Sequence, residues 1–202
     1  MDYTDVLRIL RRPDAEVYGA CRYGSRVYGT AGPASDEDFF VVLEDSKARR
    51  DLLFGAGANV VVHGLETFRQ ALADQSIFAL ECFFAPPEHR LKEGRPPLAF
   101  VLDRARLSAS AIAKSEADFA KAARTFEAEP GPARKKLFHS LRVPFFARQL
   151  ATQGKIVDFT EAAPLWTEIR DLEDATWEKL AKLHGPTRKE LCEQLSRIGK
   201  KR

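Results

Sequence analysis

Residues 24–43 read GSRVYGTAGPASDEDFFVVL, with a glycine-serine pair, a glycine-bearing connection, and two aspartates that lead into an apolar run. Alternate side chains of a strand share one face, so Asp36 and Asp38 should project together with Cα atoms roughly 6.6 Å apart, while Glu37 points to the other side. A turn that contains glycine allows a ligand close to the backbone, and N–H groups at the start of a helix can bind phosphate. The segment therefore predicts a phosphate-binding turn beside two metal-binding carboxylates.

Each of these residues also has a simpler structural interpretation. A Ser-Asp pair often opens a turn or caps a strand. Asp38, however, precedes five apolar residues and would enter the sheet as a carboxylate that needs a partner. Metal binding is therefore the interpretation that we favour for Asp36 and Asp38. Gly24 and Ser25 are predicted to contact phosphate through backbone N–H groups and the serine hydroxyl. Arg26 is a further candidate phosphate ligand, although the direction of the helix could turn it to solvent.

Composition is typical of a soluble globular protein, with 45% apolar and 30% charged residues among 202. The apolar runs are much shorter than the ~20 residues that a membrane span needs, and the charged N-terminus lacks the apolar core of a secretory signal. We therefore predict no membrane association and a cytoplasmic location. Cys21, Cys82 and Cys192 are widely spaced and contain no CxxC pair, which favours buried thiols over a disulfide framework or a zinc site.

The charge is unevenly distributed along the chain. Residues 1–94 contain 11 basic and 15 acidic residues, a net charge of −4, whereas residues 95–202 contain 21 and 14, a net charge of +7. An acidic, metal-binding half and a basic half would suit a polyphosphate ligand. Solvated helix faces would give the same totals, so the charge alone does not identify a nucleotide ligand.

Hydrophobic periodicity and turn signals divide the chain near residue 97. The predicted class is α+β, with a small mixed β-sheet domain over residues 1–97 and an all-α helical domain over residues 98–202. Pro144 should kink or break its helix, because proline cannot donate a backbone hydrogen bond. The predicted strands are 16–22, 36–44 and 59–63, and the predicted helices are 5–12, 26–30, 46–54, 66–73, 77–84, 104–127, 133–154, 161–184 and 186–198.

Residues 24–38 resemble the active-site motif of the DNA polymerase β-type nucleotidyltransferase superfamily. That motif is a Gly-Ser turn followed by Asp-x-Asp at the start of a strand, with a third acidic residue on a later strand. Residues 60–68 and 80–86 resemble the corresponding segments in a branch of small predicted nucleotidyltransferases. The resemblance implies a nucleotidyltransferase catalytic domain at residues 1–97, with a substrate cleft that the helical half closes.

The resemblance also implies a reaction, in which an NMP group moves from an NTP to an acceptor hydroxyl with release of pyrophosphate. Asp36 and Asp38 would be catalytic residues that bind Mg²⁺ or Mn²⁺, since carboxylate oxygens suit such cations. The third acidic position reads Asn59, which could ligate a cation weakly but cannot take a proton from the acceptor. The residues farther along the chain that could take the role of the third acid are His63, Glu66 and Glu81, and none of them is a convincing replacement.

Lys136, His139 and Arg142 fall at intervals that place them along one side of a helix in the basic half. The resemblance extends to this segment and implies that the three residues bind the triphosphate, with positive charge where pyrophosphate departs. A solvated basic face, with the histidine in a local contact, would explain the same spacing. The sequence leaves both interpretations open.

The first functional hypothesis is a metal-dependent nucleotidyltransferase that binds a nucleoside triphosphate. Nothing in the residues selects among a small molecule, a protein side chain and an RNA end as the acceptor, or fixes the base preference or oligomeric state. The alternative, motivated by Asn59, is a catalytically weakened nucleotide-binding or interaction protein of the toxin–antitoxin kind. A third hypothesis, an RNA- or DNA-binding helical module, has no supporting motif in the basic half.

Overall fold

The computed structural model describes residues 1–44, 51–55 and 57–200. The chain forms two compact units, Met1–Val101 and Leu102–Arg202. Over these described ranges, the first unit contains a five-stranded sheet with parallel and antiparallel pairs, and the second is helical. The predicted α+β class is therefore confirmed. The boundary predicted after residue 97 lies close to the division between the units.

Among the residues that the structure describes, the first unit combines three α-helices with the strands of the sheet. Its helices are α1 (Tyr3–Leu10), α2 (Leu65–Ala73) and α3 (Ile77–Phe83), and its strands are β1 (Val17–Tyr23), β2 (Glu37–Leu43), β3 (Asp51–Gly55), β4 (Ala58–Gly64) and β5 (Arg90–Lys92). The order across the sheet is β3-β4-β2-β1-β5, in which β2 and β4 run parallel and the other neighbours antiparallel. A capping box between Asp2 and Asp5 starts α1, because each side chain satisfies a backbone N–H group there.

The strands of the sheet alternate between two faces. On one face, residues of β2 and β4 pack with α1 in a buried apolar cluster that contains Val6, Leu10, Phe39, Val41, Val60 and Val62. On the other face, Asp38 and Phe40 of β2 lie beside Asn59 and Val61 of β4. We call this second surface the carboxylate face. A slip of one residue would exchange the two sets of side chains, so burial of the valines fixes what the carboxylate face presents.

Residues 51–55 form the edge strand β3, so the helix predicted from Ser46 to Phe54 is wrong for that part. Ser46 itself lies outside the described residues. β3 pairs antiparallel with β4, and Gly57 between them has a φ of 76°, which favours glycine. Leu53 packs against the apolar cluster around α1. Pairing and burial therefore override the local pattern that indicated a helix.

Two further predictions in the first unit are wrong. The helix predicted over residues 26–30 is replaced by a single 3-10 turn, Gly24–Arg26. Gly24 and Gly29 have φ values of 80° and 69°, and such left-handed residues cannot continue a right-handed helix. The short strand β5, which pairs with β1, is absent from the strands predicted from the sequence.

The second unit contains α4 (Arg104–Thr125), α5 (Pro130–Gln153), α6 (Ala163–Asp171) and α7 (Trp177–Lys200). The predicted break between helices at residue 185 is wrong, since α7 runs through Pro186 and the chain leaves the helix over residues 172–176 instead. Asp174 there has a φ of 46°, which interrupts a right-handed helix. None of the helices that the described residues form has the length and apolar character needed to cross a membrane.

Helix α5 is not broken at Pro144, although a kink or break was predicted. Proline has no N–H group, so the carbonyl of Ser140, four residues earlier, loses its helical donor. The hydroxyl of Ser115 on α4 donates a hydrogen bond of 2.6 Å to this carbonyl. Both serines are fully buried. The neighbouring helix therefore supplies the hydrogen bond that the proline removes.

Candidate active site

The turn after β1 packs directly against Asp38. Gly24 has a φ of 80°, and a Cβ atom at this position would lie only 2.3 Å from Asp38 Oδ2. A larger residue would therefore displace either the turn or the carboxylate. The Gly24 carbonyl accepts hydrogen bonds of 3.0 Å from the N–H groups of Val27 and Tyr28. Ser25 follows in the same turn and is half-buried. The structure thus joins the predicted phosphate-binding turn and one predicted metal ligand.

A row of side chains crosses the carboxylate face at the level of Asp38. Strand register places Asp38 between Tyr23 of β1 and Asn59 of β4, and Phe54 of β3 lies on the far side of Asn59. The Asn59 amide donates a hydrogen bond of 2.9 Å from Nδ2 to Asp38 Oδ1. An ionised acid in place of Asn59 would repel Asp38 unless a cation lay between them, whereas the amide bonds to it directly.

Asp36 lies just before β2 and is exposed. Its loop is held by Arg26, whose Nη2 atom donates to the Ser35 carbonyl at 3.0 Å. Ser35 Oγ in turn accepts a hydrogen bond of 2.9 Å from the Gly32 N–H group. The exposed Arg26 side chain therefore supports the loop that presents Asp36.

A buried hydrogen bond links the turn to α3. The Tyr28 hydroxyl donates to Glu81 Oε2, and both residues are 4% exposed. This contact fixes the chain that follows Gly24. The sequence reasoning missed Tyr28 and considered Glu81 only as a substitute for the third acid. A carboxylate inside the apolar run FALECFF was the available signal, because such a group requires a buried partner.

The other groups considered for the third acid have different contacts. The buried ring of His63 stacks on Phe40 with centroids 4.9 Å apart. The exposed Glu66 lies 3.7 Å from Arg69 in an ion pair. Within the described ranges, three or more His, Cys, Asp or Glu side chains do not group as a metal site. Asp38 beside the turn thus offers carboxylate oxygens and Asn59 next to it an amide oxygen, and Asp36 offers a second carboxylate just before β2.

The carboxylate face also borders a cavity of about 440 Å³. Phe40 forms part of its wall, and Cys21 of β1 and Cys82 of α3 line it as well. Burial, followed by a hydrogen bond with Cys21, raises the pKa of the Cys82 thiol well above its ordinary value. The Cys82 thiol is therefore protonated at neutral pH, which makes it a poor nucleophile. All three cysteines are free thiols, Cys21 buried and Cys82 and Cys192 half-buried.

Lys136 on α5 belongs to an ion-pair cluster within the helical unit. Its Nζ atom lies 3.6 Å from Oδ1 of Asp118 on α4. Asp118 is buried, and Lys114, one turn earlier on α4, also contacts it at 2.8 Å. Two cations therefore surround one buried carboxylate, which leaves this cluster with a net positive charge.

Arg142 and His139 contact each other on α5. Arg142 is 6% exposed, its Nε atom lies 3.4 Å from His139 Nδ1, and its guanidinium lies 4.9 Å from the centre of the Phe146 ring. Desolvation, followed by the charges of Arg142 and nearby lysines, holds the pKa of His139 well below its usual range. His139 is therefore neutral at pH 7 and can accept the hydrogen bond from Arg142.

Residues 4–100 match the family of nucleotidyltransferase domains. The N-terminal half is a nucleotidyltransferase domain of the polymerase β type. This confirms the family resemblance seen in the turn and the Asp-x-Asp pair. The chain is also similar to the crystal structure of a nucleotidyltransferase-like protein from Exiguobacterium sibiricum 255-15. The two are 15% identical, with a TM-score of 0.40, and the similarity covers 98% of this chain and 74% of that one. No curated protein shows significant similarity to the chain.

Proposed function

We propose that the nucleotidyltransferase domain moves an NMP group from an NTP to an acceptor hydroxyl and releases pyrophosphate, with the help of a divalent cation. The observation that carries this proposal is the contact between the Gly24 turn and the Asp38 carboxylate, which is too close for a side chain at position 24. Backbone N–H groups beside a carboxylate suit a triphosphate and its cation together.

The oxygen donors of the site fit a hard cation such as Mg²⁺ or Mn²⁺. Asp36 and Asp38 offer carboxylate oxygens, and Asn59 offers an amide oxygen; Mg²⁺ binds such groups together with water and substrate phosphates. The hydrogen bond of 2.9 Å from Asn59 Nδ2 to Asp38 places the amide beside the carboxylate, and rotation of the amide would turn its oxygen toward a cation bound by Asp38. When bound, the cation would stabilise negative charge on the attacking and leaving oxygens.

The chain's own groups would bind and orient the substrates. Gly24 and Ser25 would bind the triphosphate through N–H groups and the serine hydroxyl. Asn59 cannot accept a proton, so the acceptor hydroxyl would receive no general-base assistance from this position, and we expect slow turnover. The remaining groups that we propose for triphosphate binding are Arg26, Lys136, His139 and Arg142.

The proposal is tested by incubating the purified chain with α-labelled nucleoside triphosphates and Mg²⁺ or Mn²⁺. Pyrophosphate release and label transfer are measured with pools of small molecules, proteins and RNA as acceptors. We expect release that a chelator stops and that Asp38→Ala abolishes. The matched control is Asp14→Ala, which removes an exposed carboxylate paired with Lys92 and should leave release unchanged.

The same measurements separate the enzyme from the alternative. Nucleotide binding without release, in either metal and with every acceptor pool, would favour a nucleotide-binding or interaction protein. Failure to bind nucleotide would contradict both functions. Release that Asp38→Ala does not affect would place the chemistry at another site and would overturn the assignment of Asp38.

A further inference from the structure

An exposed aromatic ring lies on the carboxylate face beside the proposed reaction site. Phe54 of β3 has 72% of its surface exposed, and Leu52, two residues earlier, is 51% exposed. A phenylalanine ring carries a large apolar surface, and it gains free energy when it stacks on another ring. The pair is therefore an apolar surface available for a ligand.

The orientation of β3 fixes this exposure. Leu53, between the two exposed residues, packs in the apolar cluster around α1. Gly55 faces the same way, because a Cβ atom there would lie 3.4 Å from Ile9 Cγ1. Alternate residues of a strand point to opposite faces, so Leu52 and Phe54 must project onto the carboxylate face.

Phe54 is two strands away from Asp38. It pairs with Asn59 across the β3–β4 ladder, and Asn59 pairs with Asp38 across the β4–β2 ladder. Neighbouring strands lie about 4.8 Å apart, so the Cα atoms of Phe54 and Asp38 are separated by roughly 10 Å. A molecule the size of one nucleoside or one substituted phenol spans this distance.

The side from which the acceptor hydroxyl would approach Asp38 is also the side on which Phe54 lies. The Gly24 turn, which would bind the departing pyrophosphate, lies on the β1 side of Asp38. Attacking and leaving oxygens are roughly in line in phosphoryl transfer, so the acceptor hydroxyl should approach from the opposite side. That side of Asp38 is occupied first by Asn59 and then by Phe54.

We propose that Phe54 and Leu52 form the acceptor-binding platform, and that the acceptor is a hydroxyl compound with a planar aromatic ring and little negative charge. The ring would stack on Phe54 while the hydroxyl reaches the reaction site beside Asp38. Leu52 extends the apolar surface, and β3, with the sequence DLLFG, contributes no cationic side chain that would pair with an anionic acceptor. This inference rests on the proposed function, because it uses the position of the triphosphate.

The test compares 4-methylphenol with 4-methylcyclohexanol, two alcohols of similar size of which only the first is planar. Each is titrated by NMR against the full chain saturated with a nonhydrolysable ATP analogue and Mg²⁺. Stacking on an aromatic side chain should make the planar probe bind at least about fivefold more tightly. Phe54→Ala should remove this preference, and Phe54→Trp should retain it.

The matched control is Val101→Ala, which removes another exposed apolar side chain from the same unit, 81% exposed, and should retain the preference. Equal affinities for the two probes in the wild-type chain, or a preference that survives Phe54→Ala, would overturn the platform. Binding of the ATP analogue is measured separately in the same samples. Its absence would overturn the proposed function and with it the acceptor role, so the two failures are distinguishable.

Discussion

The two units of the chain hold their central carboxylates in different ways. In the sheet unit, Asp38 is positioned by strand register and by the Gly24 backbone, which approaches too closely to allow a side chain. In the helical unit, Asp118 is buried between two cations, at 2.8 Å from Lys114 and 3.6 Å from Lys136. The first carboxylate is fixed by geometry and the second by charge.

This difference leads us to propose a different role for each carboxylate. A carboxylate held by backbone geometry beside a turn of N–H groups is arranged for a ligand, whereas one neutralised by its own lysines stabilises the fold. Substitutions in the sheet unit should therefore change activity, and comparable substitutions in the helical unit should change stability.

Asp38→Ala tests the comparison with the largest expected effect. Loss of this proposed metal ligand should lower the rate of pyrophosphate release by about 10³-fold or more, which corresponds to roughly 4 kcal/mol of activation free energy. The counterpart Asp118→Asn should keep the rate per folded molecule and lower the free energy of unfolding by about 1–3 kcal/mol. Comparable losses of rate in both variants would contradict the distinction between the two carboxylates.

Gly24→Ala separates close packing from backbone strain. The substitution should lower activity by about 10²-fold, because the new methyl group displaces the Asp38 carboxylate and misplacement of a catalytic group is costly. Gly57→Ala is the matched control, since its φ of 76° is similar but no atom lies within 4 Å of the added Cβ. Both variants should lose about 1–3 kcal/mol of stability through strain. Equal activity in the two would contradict the role of the close contact.

Asn59→Asp should raise the activity of the site, because it introduces the third acidic residue of the family motif. With Mg²⁺ present, pyrophosphate release should rise by about tenfold or more, because a carboxylate adds charge at the cation and can accept the acceptor proton. Without metal, repulsion between the introduced carboxylate and Asp38 should instead lower stability. Steady-state rates and melting temperatures, with and without Mg²⁺, measure both effects. Asn59→Ala, which adds no charge, should show no gain, and a gain there would contradict this explanation.

Lys136→Met tests whether the helical unit contributes to triphosphate binding. If Lys136 binds phosphate as proposed, the dissociation constant for an NTP should rise a few-fold, as expected for one partly exposed charge, for which about 0.2–1 kcal/mol is typical. Lys135→Met removes the exposed neighbouring charge and should have no effect. An unchanged dissociation constant with reduced stability would assign Lys136 to Asp118 alone.

The smallest effect concerns the pH dependence of stability. Because desolvation and then Arg142 lower the pKa of His139, the unfolded chain, whose histidine titrates near pH 6.5, binds more protons below about that pH than the folded chain does. The free energy of unfolding should therefore fall as the pH decreases through this window. His139→Gln should flatten that part of the profile in urea unfolding. His184→Gln should leave the His139 contribution in place, although burial lowers the pKa of His184 too.

The turn at Gly24 and the position of Asp38 on β2 could be predicted from the sequence because they depend on local spacing, whereas Asp36 lies before the strand. The left-handed backbone of Gly24 and the alternation of β2 require only neighbouring residues. The same reasoning missed β3, whose formation depends on pairing with β4 and on burial of Leu53 rather than on local preference. The local pattern of a short charged segment such as residues 46–54 is compatible with a helix or a strand, and only the partner strand decides between them.

Long-range contacts were also beyond the sequence. Tyr28 and Glu81 are separated by 53 residues, and nothing near Tyr28 indicates its buried partner. The break between α6 and α7 depends on the backbone at Asp174, whereas Gly185 and Pro186 gave a stronger but misleading local signal. The exposure of Phe54 likewise depends on how β3 pairs with β4, and the sequence of β3 alone does not determine that pairing.

The hydrogen bond from Ser115 to the Ser140 carbonyl restricts how α4 and α5 can move. Sliding one helix past the other by a turn, about 5.4 Å, would leave that buried carbonyl without a hydrogen-bond donor. Leucine contacts alone would tolerate such a shift far better, since apolar packing has little directionality. Pro144 thus restricts sliding of α4 along α5, because its missing N–H group leaves the Ser140 carbonyl dependent on the hydroxyl of Ser115.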